Sequence, residues 1–372
     1  MALTRIANIA STIPDDSIAN VKMANIVQSK NIIINGDMSV AQRATSVTGN
    51  TAGGYLTCDR WNFNIGSAGT WTATQSTDVP TGQGFATSFK LDCTTADASL
   101  GSGDIMQLQQ RFEGQNLQYL LKGTASAKSL TLSFWTKSNK TGTYIAEFRD
   151  RTNNRTISQT YTISSADTWE KKTLTYAGDT TGALANTNAN ILQLNLWLAA
   201  GSNYSSGSLA TSWGTRTDAN RAVGQVNLAD STSNDFYITG IQLEAGTTAS
   251  DFEFLPVDVN LQRCQRYYYL HNAGASLDVG VGGYYNSSQI FLNVQFPTSM
   301  RTSPSLEQVT GSAYYSIYRQ NTADDFNSLT LGQKNENIVS LYNNSEVSGT
   351  AGDAGFIRTN NSSTRVAFDS EL

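Results

Sequence analysis

The feature that most constrains this chain is a period of two. It appears in Trp61-Asn-Phe-Asn-Ile, Ser88-Phe-Lys-Leu-Asp-Cys, Leu130-Thr-Leu-Ser-Phe-Trp-Thr, Lys172-Thr-Leu-Thr-Tyr and Ile191-Leu-Gln-Leu-Asn-Leu-Trp-Leu. Only a β-strand sends successive side chains to opposite faces, so each run predicts a strand with one apolar face. Turn-formers such as Gly66-Ser-Ala-Gly, Thr152-Asn-Asn and Tyr176-Ala-Gly-Asp separate the runs, and no strong ten-residue helical pattern interrupts the series. Many short strands without crossover helices predict an all-β chain, a β-sandwich or jelly roll followed by a smaller C-terminal β-sandwich domain. Composition agrees, because charged residues are only 15% and neutral hydroxyls and amides take their place. β-branched threonine suits a half-buried pleat, and asparagine and serine suit turns.

With 372 residues, two cores are expected. Residues 1–30 differ from the rest, with Ile6, Ile9, Ile13, Ile18, Val21, Ile26 and Val27 at mixed spacing and Pro14-Asp15-Asp16 as a helix start. They read as an N-terminal anchor segment with a helix over roughly 15–28. Residues 31–256 form the jelly roll and 257–372 the C-terminal β domain, with Asn260-Leu-Gln-Arg-Cys-Gln-Arg read as a linker running into the aromatic strand Tyr267-Tyr-Tyr-Leu. The stretch between Pro297 and Pro304 cannot be a central strand, since proline lacks the ladder donor; it should cross the end of a sheet or follow an edge. Cys58, Cys93 and Cys264 are odd in number and scattered, which predicts reduced core thiols.

A net charge of −5 without a basic cluster argues against nucleic acid as a partner. No stretch approaches the roughly 18 apolar residues of a membrane span, and Thr4, Arg5 and Asn8 break the first apolar run too early for a signal peptide. Synthesis in the cytosol without membrane insertion is the expectation. The only histidine is His271 and no serine lies in a Gly-x-Ser-x-Gly setting, so a Ser-His-Asp triad is excluded. Asp37, Asp59, Glu113, Glu170, Glu244 and Asp251 are glycosidase candidates only by elimination, because capping backbone amides or pairing with Arg43, Arg60 or Arg111 suits them equally. The chain is read as having no enzymatic activity.

Sugar rings offer apolar C–H faces and hydroxyl rims, which suit exposed aromatic platforms flanked by amides. Trp71, Tyr204 and Trp213 lie in Gly/Ser/Thr-rich turns and are the platform candidates, whereas Trp61, Trp135 and Trp197 alternate inside strands and read as core. In the C-terminal domain Tyr284, Tyr285, Tyr314, Tyr315, Tyr318 and Tyr342 crowd the strands. An adjacent pair puts one ring on each face, leaving outward rings for a neighbouring subunit or a receptor.

Three groups of motifs resemble segments of bacteriophage tail-fibre and virion-appendage proteins that carry a carbohydrate-binding-module-like jelly roll. The first is Asn31-Ile-Ile-Ile-Asn-Gly-Asp-Met-Ser-Val-Ala-Gln-Arg with Tyr55-Leu-Thr-Cys-Asp-Arg-Trp, similar to the opening strand and the next aromatic strand. The second is Leu108-Gln-Gln-Arg-Phe-Glu-Gly, Lys128-Ser-Leu-Thr-Leu-Ser-Phe-Trp-Thr-Lys-Ser and Thr168-Trp-Glu-Lys-Lys. The third is Ile241-Gln-Leu-Glu-Ala-Gly, Phe254-Leu-Pro, Arg263-Cys-Gln-Arg-Tyr-Tyr, Phe296-Pro-Thr-Ser-Met-Arg-Thr-Ser-Pro and Ala367-Phe-Asp-Ser-Glu-Leu. The resemblance implies a virion protein assembled in the host cytoplasm, a homotrimer, and attachment to host-surface polysaccharide. Residues 1–30 would then dock on other virion proteins. It implies no cofactor beyond a structural calcium, with oxygen ligands from Asp37 and Glu244. The alternatives are a purely structural head-decoration, neck or tail-connector protein without sugar binding, and a capsule-degrading glycosidase.

Overall fold

The computed structural model describes residues 30–372. The expected anchor helix therefore lies outside the described residues. The chain is all-β, with antiparallel sheets stacked into sandwiches. The first thirteen strands are β1 (Ser46–Asn50), β2 (Gly54–Tyr55), β3 (Asn62–Gly66), β4 (Thr70–Ser76), β5 (Ser88–Thr95), β6 (Ile105–Glu113), β7 (Leu130–Ser138), β8 (Gly142–Asp150), β9 (Arg155–Ile163), β10 (Glu170–Tyr176), β11 (Asn190–Ala200), β12 (Gly214–Thr215) and β13 (Asp235–Ala245). They form a six-stranded sheet, β1-β4-β5-β13-β7-β10, and a seven-stranded sheet, β12-β9-β8-β11-β6-β3-β2. The inward residues of the alternating runs meet between the sheets: Phe63, Trp71, Phe89, Leu91, Leu108, Leu132, Phe134, Phe148, Leu194 and Leu196 share one buried cluster. Each such side chain contributes about 1.5–3 kcal/mol by leaving water.

The segment expected as an opening strand instead runs irregularly along β13. Asn31 holds it, with its amide bound to Ile241 O and its Oδ1 accepting from Leu243 N. Where it passes β13 the strand bulges between Thr239 and Gln242, and Gly240 sits at φ +61 with the Phe85 ring 2.5 Å from where a Cβ would stand.

The expected linker is a helix, α1 (Val257–Gln265), that starts directly after Pro256. Fixing φ favours a helix start at a proline, and the one-turn spacing of the buried Asn260 and Cys264 holds the helix down. Ten strands follow: β14 (Tyr268–Ala273), β15 (Asp278–Asn286), β16 (Gln289–Gln295), β17 (Ser305–Gln308), β18 (Tyr315–Arg319), β19 (Thr322–Phe326), β20 (Thr330–Lys334), β21 (Ile338–Asn343), β22 (Ala354–Thr359) and β23 (Arg365–Asp369). A three-stranded sheet, β14-β23-β17, faces a seven-stranded one, β19-β18-β22-β15-β16-β21-β20. Ile290, Leu292, Tyr315, Ile317, Val339, Leu341, Ile357 and Phe368 form the second core. The Pro297–Pro304 stretch crosses from β16 to β17, from one sheet to the other, and β17 is an edge strand.

The two sandwiches meet through buried arginines laid on tyrosine rings. Arg60 lies 3.5 Å from the Tyr267 ring centroid and Arg43 3.6 Å from that of Tyr268. Glu371 pairs with both arginines, while Glu113 accepts two hydrogen bonds from Arg266, at 2.8 and 2.7 Å, and one from the Tyr267 hydroxyl. Beside this junction Asp59 is buried, accepts from Gln42 N at 2.9 Å, and is pushed by burial up to about 6. A carboxyl raised from 3.8 adds stability that is complete below pH 3.8 and is lost as pH rises through about 6. We therefore expect the unfolding free energy of the native chain, relative to Asp59→Asn, to fall by on the order of 2–3 kcal/mol between about pH 4 and pH 7. Urea titrations at several pH values would read this, and parallel pH curves for the two proteins would contradict it.

Candidate functional site

The outer face of the first seven-stranded sheet is polar because of the same alternation that fills the core. Leu192, Leu194, Leu196 and Leu198 of β11 point inward, so Gln193, Asn195 and Trp197 point out. On β6 the outward set is Gln107, Gln109 and Arg111, on β8 it is Glu147 and Arg149, and on β3 it is Asn62 and Asn64. Strand register aligns these into rows: Asn64, Gln107 and Trp197; Asn62, Gln109, Asn195 and Glu147; Arg111, Gln193 and Arg149. Neighbours on one face, both across strands and two apart along a strand, lie within side-chain reach, and here they hydrogen-bond. Gln109 Nε2 donates to Gln107 Oε1 at 2.6 Å, Asn64 Nδ2 to the same oxygen at 3.1 Å, and Gln193 Nε2 to Asn195 Oδ1 at 2.7 Å.

One side of this face is walled by the 201–222 segment. The segment is tied to the sheet by Ser158 N donating to Ala210 O and Ser158 Oγ to Arg221 O. It brings Tyr204 onto Trp197, with ring centroids 5.5 Å apart, and lays Arg221 over Trp197 at 5.0 Å. Beneath them Glu147 is fully buried and accepts from Thr156 Oγ1 (2.7 Å), Asn195 Nδ2 (3.0 Å), Trp197 Nε1 (3.0 Å), Arg221 Nε (2.7 Å) and a second Arg221 nitrogen (3.0 Å). Burial alone would raise its carboxyl, but the charge and hydrogen bonds of Arg221, with those of Thr156 and Asn195, outweigh that and hold it below its ordinary range. It is an ionised structural anchor and lacks the raised pKa that suits a general acid.

The result is a groove of about 270 Å³ lined by Asn64, Ile105, Gln107, Gln109, Gln193 and Tyr204 together with Arg111, Arg149, Arg151, Arg216 and Arg221. No carboxylate lines it. Amide side chains can donate and accept to vicinal hydroxyls, and guanidiniums can fork onto oxygen pairs.

Of the platform candidates, Tyr204 stands in this groove. Trp71 does not: it is 0% exposed on the inner face of β4, its indole N–H bound to Ala68 O. The glycine-rich turn before it ends one residue earlier, and Trp71 and Ala73 already follow the strand period. Trp213 is half-buried away from the groove, donating to Ala177 O with Lys122 over its ring. Trp61 is core as expected, Trp135 is only partly buried, and Trp197 is buried on the groove side of the sheet.

The tyrosine pairs split between faces. Tyr284 and Tyr315 are in the second core, Tyr285 is 74% exposed, and Tyr314, Tyr318 and Tyr342 are half-buried. Burial therefore removes Tyr284 and Tyr315 from any contact surface.

The two calcium candidates are occupied separately. Asp37 makes an Asx turn with Ser39 and accepts from Asn260, whereas Glu244 is buried and accepts from Gln242 and from Ser250 N and Oγ. Among the described residues no group of three or more His, Cys, Asp or Glu side chains could hold a metal ion. Glu170 is bound to Lys172 and to Ser164 N and Ser165 N. His271 is satisfied by Tyr269 and Val279 O, and burial lowers its pKa. All three cysteines are buried and free.

Apart from Tyr204, the groove residues carry no binding motif in the sequence. Their only signal was the polar half of strands already recognised for their apolar half.

No family model and no curated protein matches the chain. Among solved structures, the enzymatically active domain of tailspike protein 4 of bacteriophage CBA120 is 16% identical at a TM-score of 0.30, covering 58% of this chain. The match spans 21% of that tailspike domain's own length. A CBM4 structure is 15% identical over 58% of this chain and 99% of its own, at a TM-score of 0.28. The tandem CBM22-1–CBM22-2 domain of Paenibacillus barcinonensis Xyn10C is 10% identical over 88% of this chain and 97% of its own, at a TM-score of 0.23.

Proposed function

We propose that this chain is a non-enzymatic, glycan-binding subunit of a phage tail fibre or virion appendage, and that the groove on the outer face of the first seven-stranded sheet takes the sugar. The observation that carries the reading is the groove lining itself. Amides and guanidiniums held in register by strand pairing stand beside the Tyr204 ring, which matches the hydroxyl rims and apolar faces of a saccharide. The same lining supports the non-enzymatic part of the reading. Glycoside hydrolysis calls on two carboxyl groups facing the bond across a cleft, and the one acid nearest this floor, Glu147, has its oxygens filled by five donors.

The virion assignment rests on the three motif groups. In that setting residues 1–30 dock on other virion proteins and the protein assembles as a homotrimer. Subunit contact falls to the outer face of the second seven-stranded sheet, where Val281 and Tyr285 are 76% and 74% exposed beside Phe356 and Tyr318. Several copies would turn weak sugar contacts into firm attachment. Light scattering should then return three times the chain mass.

Affinity electrophoresis in gels containing host-envelope polysaccharide tests the binding reading. Saturable retardation is expected, weakened roughly tenfold by Tyr204→Ala or Gln193→Ala, with no reducing ends released from the polymer. Absence of retardation would favour a purely structural virion protein, and product release would favour a capsule-degrading enzyme.

A further inference from the structure

We propose that the groove is selective for anionic saccharides, with Arg149, Arg151 and Arg216 receiving a carboxylate, sulfate or phosphate group on the glycan. This rests on the glycan-binding reading above and adds the chemical class of the ligand.

Charge bookkeeping in the groove is the first support. Five guanidiniums line it, and the carboxylates that reach them, Glu147 and Asp218, are already paired, the first with Arg221 and the second with Arg216 and Arg221. Among the described residues no ion pair reaches Arg149 or Arg151. Burial, followed by the charges of Arg216, Arg221 and Arg151, pushes the Arg149 guanidinium down to about 10. Crowding like charges on a half-buried strand position opposes folding, so stability alone gives no reason for the arrangement.

Polar atoms without protein partners are the second support. Gln107 and Gln193, 1% and 3% exposed, line the groove with Gln107 Nε2 and Gln193 Oε1 unpartnered, and Arg111 Nε, Arg149 Nε and Arg216 Nε are in the same condition. Buried polar atoms are nearly always satisfied, so a cluster of five in one groove marks where a ligand's own oxygens and hydroxyls belong. Planar guanidinium forks match the oxygen pairs of carboxylate, sulfate and phosphate, and the two glutamines are placed for neighbouring hydroxyls.

The chain as a whole carries −5, so this cationic spot is not an overflow of general basicity. Nucleic acid is the competing polyanion. It is disfavoured by the acidic remainder of the molecule and by the presence of one ring, Tyr204, among the lining residues, where a stacking track needs several.

The experiment is retardation of the full chain in gels containing polygalacturonate, dextran sulfate or teichoic acid. Each is set against a neutral counterpart, galactan or dextran, with a single-stranded oligothymidylate as a separate arm. The result expected is retention by at least one acidic polymer, roughly tenfold or more over its neutral counterpart, lost in Arg149→Gln/Arg151→Gln and weakened between about 50 and 500 mM salt. The acidic polymer that binds identifies the anion. Lys171→Gln, on the opposite sheet, should change nothing, and the arginine variants should melt no lower than the parent protein. Equal retention by acidic and neutral polymers, indifferent to the arginine variants, would overturn anion selectivity while leaving the glycan reading in place. Retention by no polymer would overturn both. Oligothymidylate bound as tightly as the acidic saccharides and released by the same variants would replace the saccharide with nucleic acid.

Discussion

Glu147→Ala is expected to cost about 3–5 kcal/mol of folding free energy and to abolish binding in the groove, because it leaves the buried Arg221 guanidinium with only the exposed Asp218, at 3.3 Å, as a counter-charge. The Arg221 side chain is 5% exposed and makes two of its hydrogen bonds to this carboxylate. Trp197 Nε1, Asn195 Nδ2 and Thr156 Oγ1 would lose an acceptor in the same step. Each orphaned donor adds roughly 1–3 kcal/mol, partly overlapping because the groups form one network. Arg221 also roofs Trp197 and neighbours Tyr204, so the wall of the groove should loosen with it. Urea unfolding followed by tryptophan fluorescence reads the loss. A variant within about 1 kcal/mol of the parent would show that the network does not hold the wall.

Glu371→Ala should be of comparable severity, about 3–5 kcal/mol, and should act on the junction between the sandwiches. Glu371 pairs with Arg60, whose side chain is 1% exposed, and with Arg43 at 3.5 Å. Arg60 also donates to Arg111 O at 2.8 Å, a bond too weak to offset an unpaired buried charge. The expected signature is a split melt, with the two sandwiches unfolding in separate calorimetric transitions where the parent shows one. A single transition at the parent temperature would show that the Arg–Tyr stacks and the Glu113–Arg266–Tyr267 network hold the junction without Glu371.

Much of the architecture was legible because alternation is local. The strand runs read from Trp61, Ser88, Leu130, Lys172 and Ile191 lie in β3, β5, β7, β10 and β11. Where local reading failed, a short-range cue outvoted the period. The glycine-rich stretch before Trp71 suggested an exposed turn, although Trp71 and Ala73 alternate into the core. Asn260-Leu-Gln-Arg-Cys-Gln-Arg suggested a linker, although its residues through Gln265 lie in α1, which follows directly on Pro256. The groove was illegible for a different reason. Gln107, Gln193 and Arg149 look like ordinary outward residues on three separate strands, and only the order β8-β11-β6 sets them side by side. Tyr204 was singled out for its composition, but its partner Trp197 was assigned to the core because sequence does not say which side of a sheet a buried residue is on.

The junction has a consequence for how the protein is made. Arg60 and Glu371 are 311 residues apart in the chain. At synthesis rates of about 5–20 residues per second, Arg60 leaves the ribosome roughly 15–60 s before its counter-charge exists. During that interval the first sandwich can pair its strands but must keep the Arg60 edge hydrated, so docking of the two halves is a late step. Slowing translation between the codons of the first sandwich and that of Glu371 should therefore prolong a species with a folded first half and an open, protease-sensitive seam.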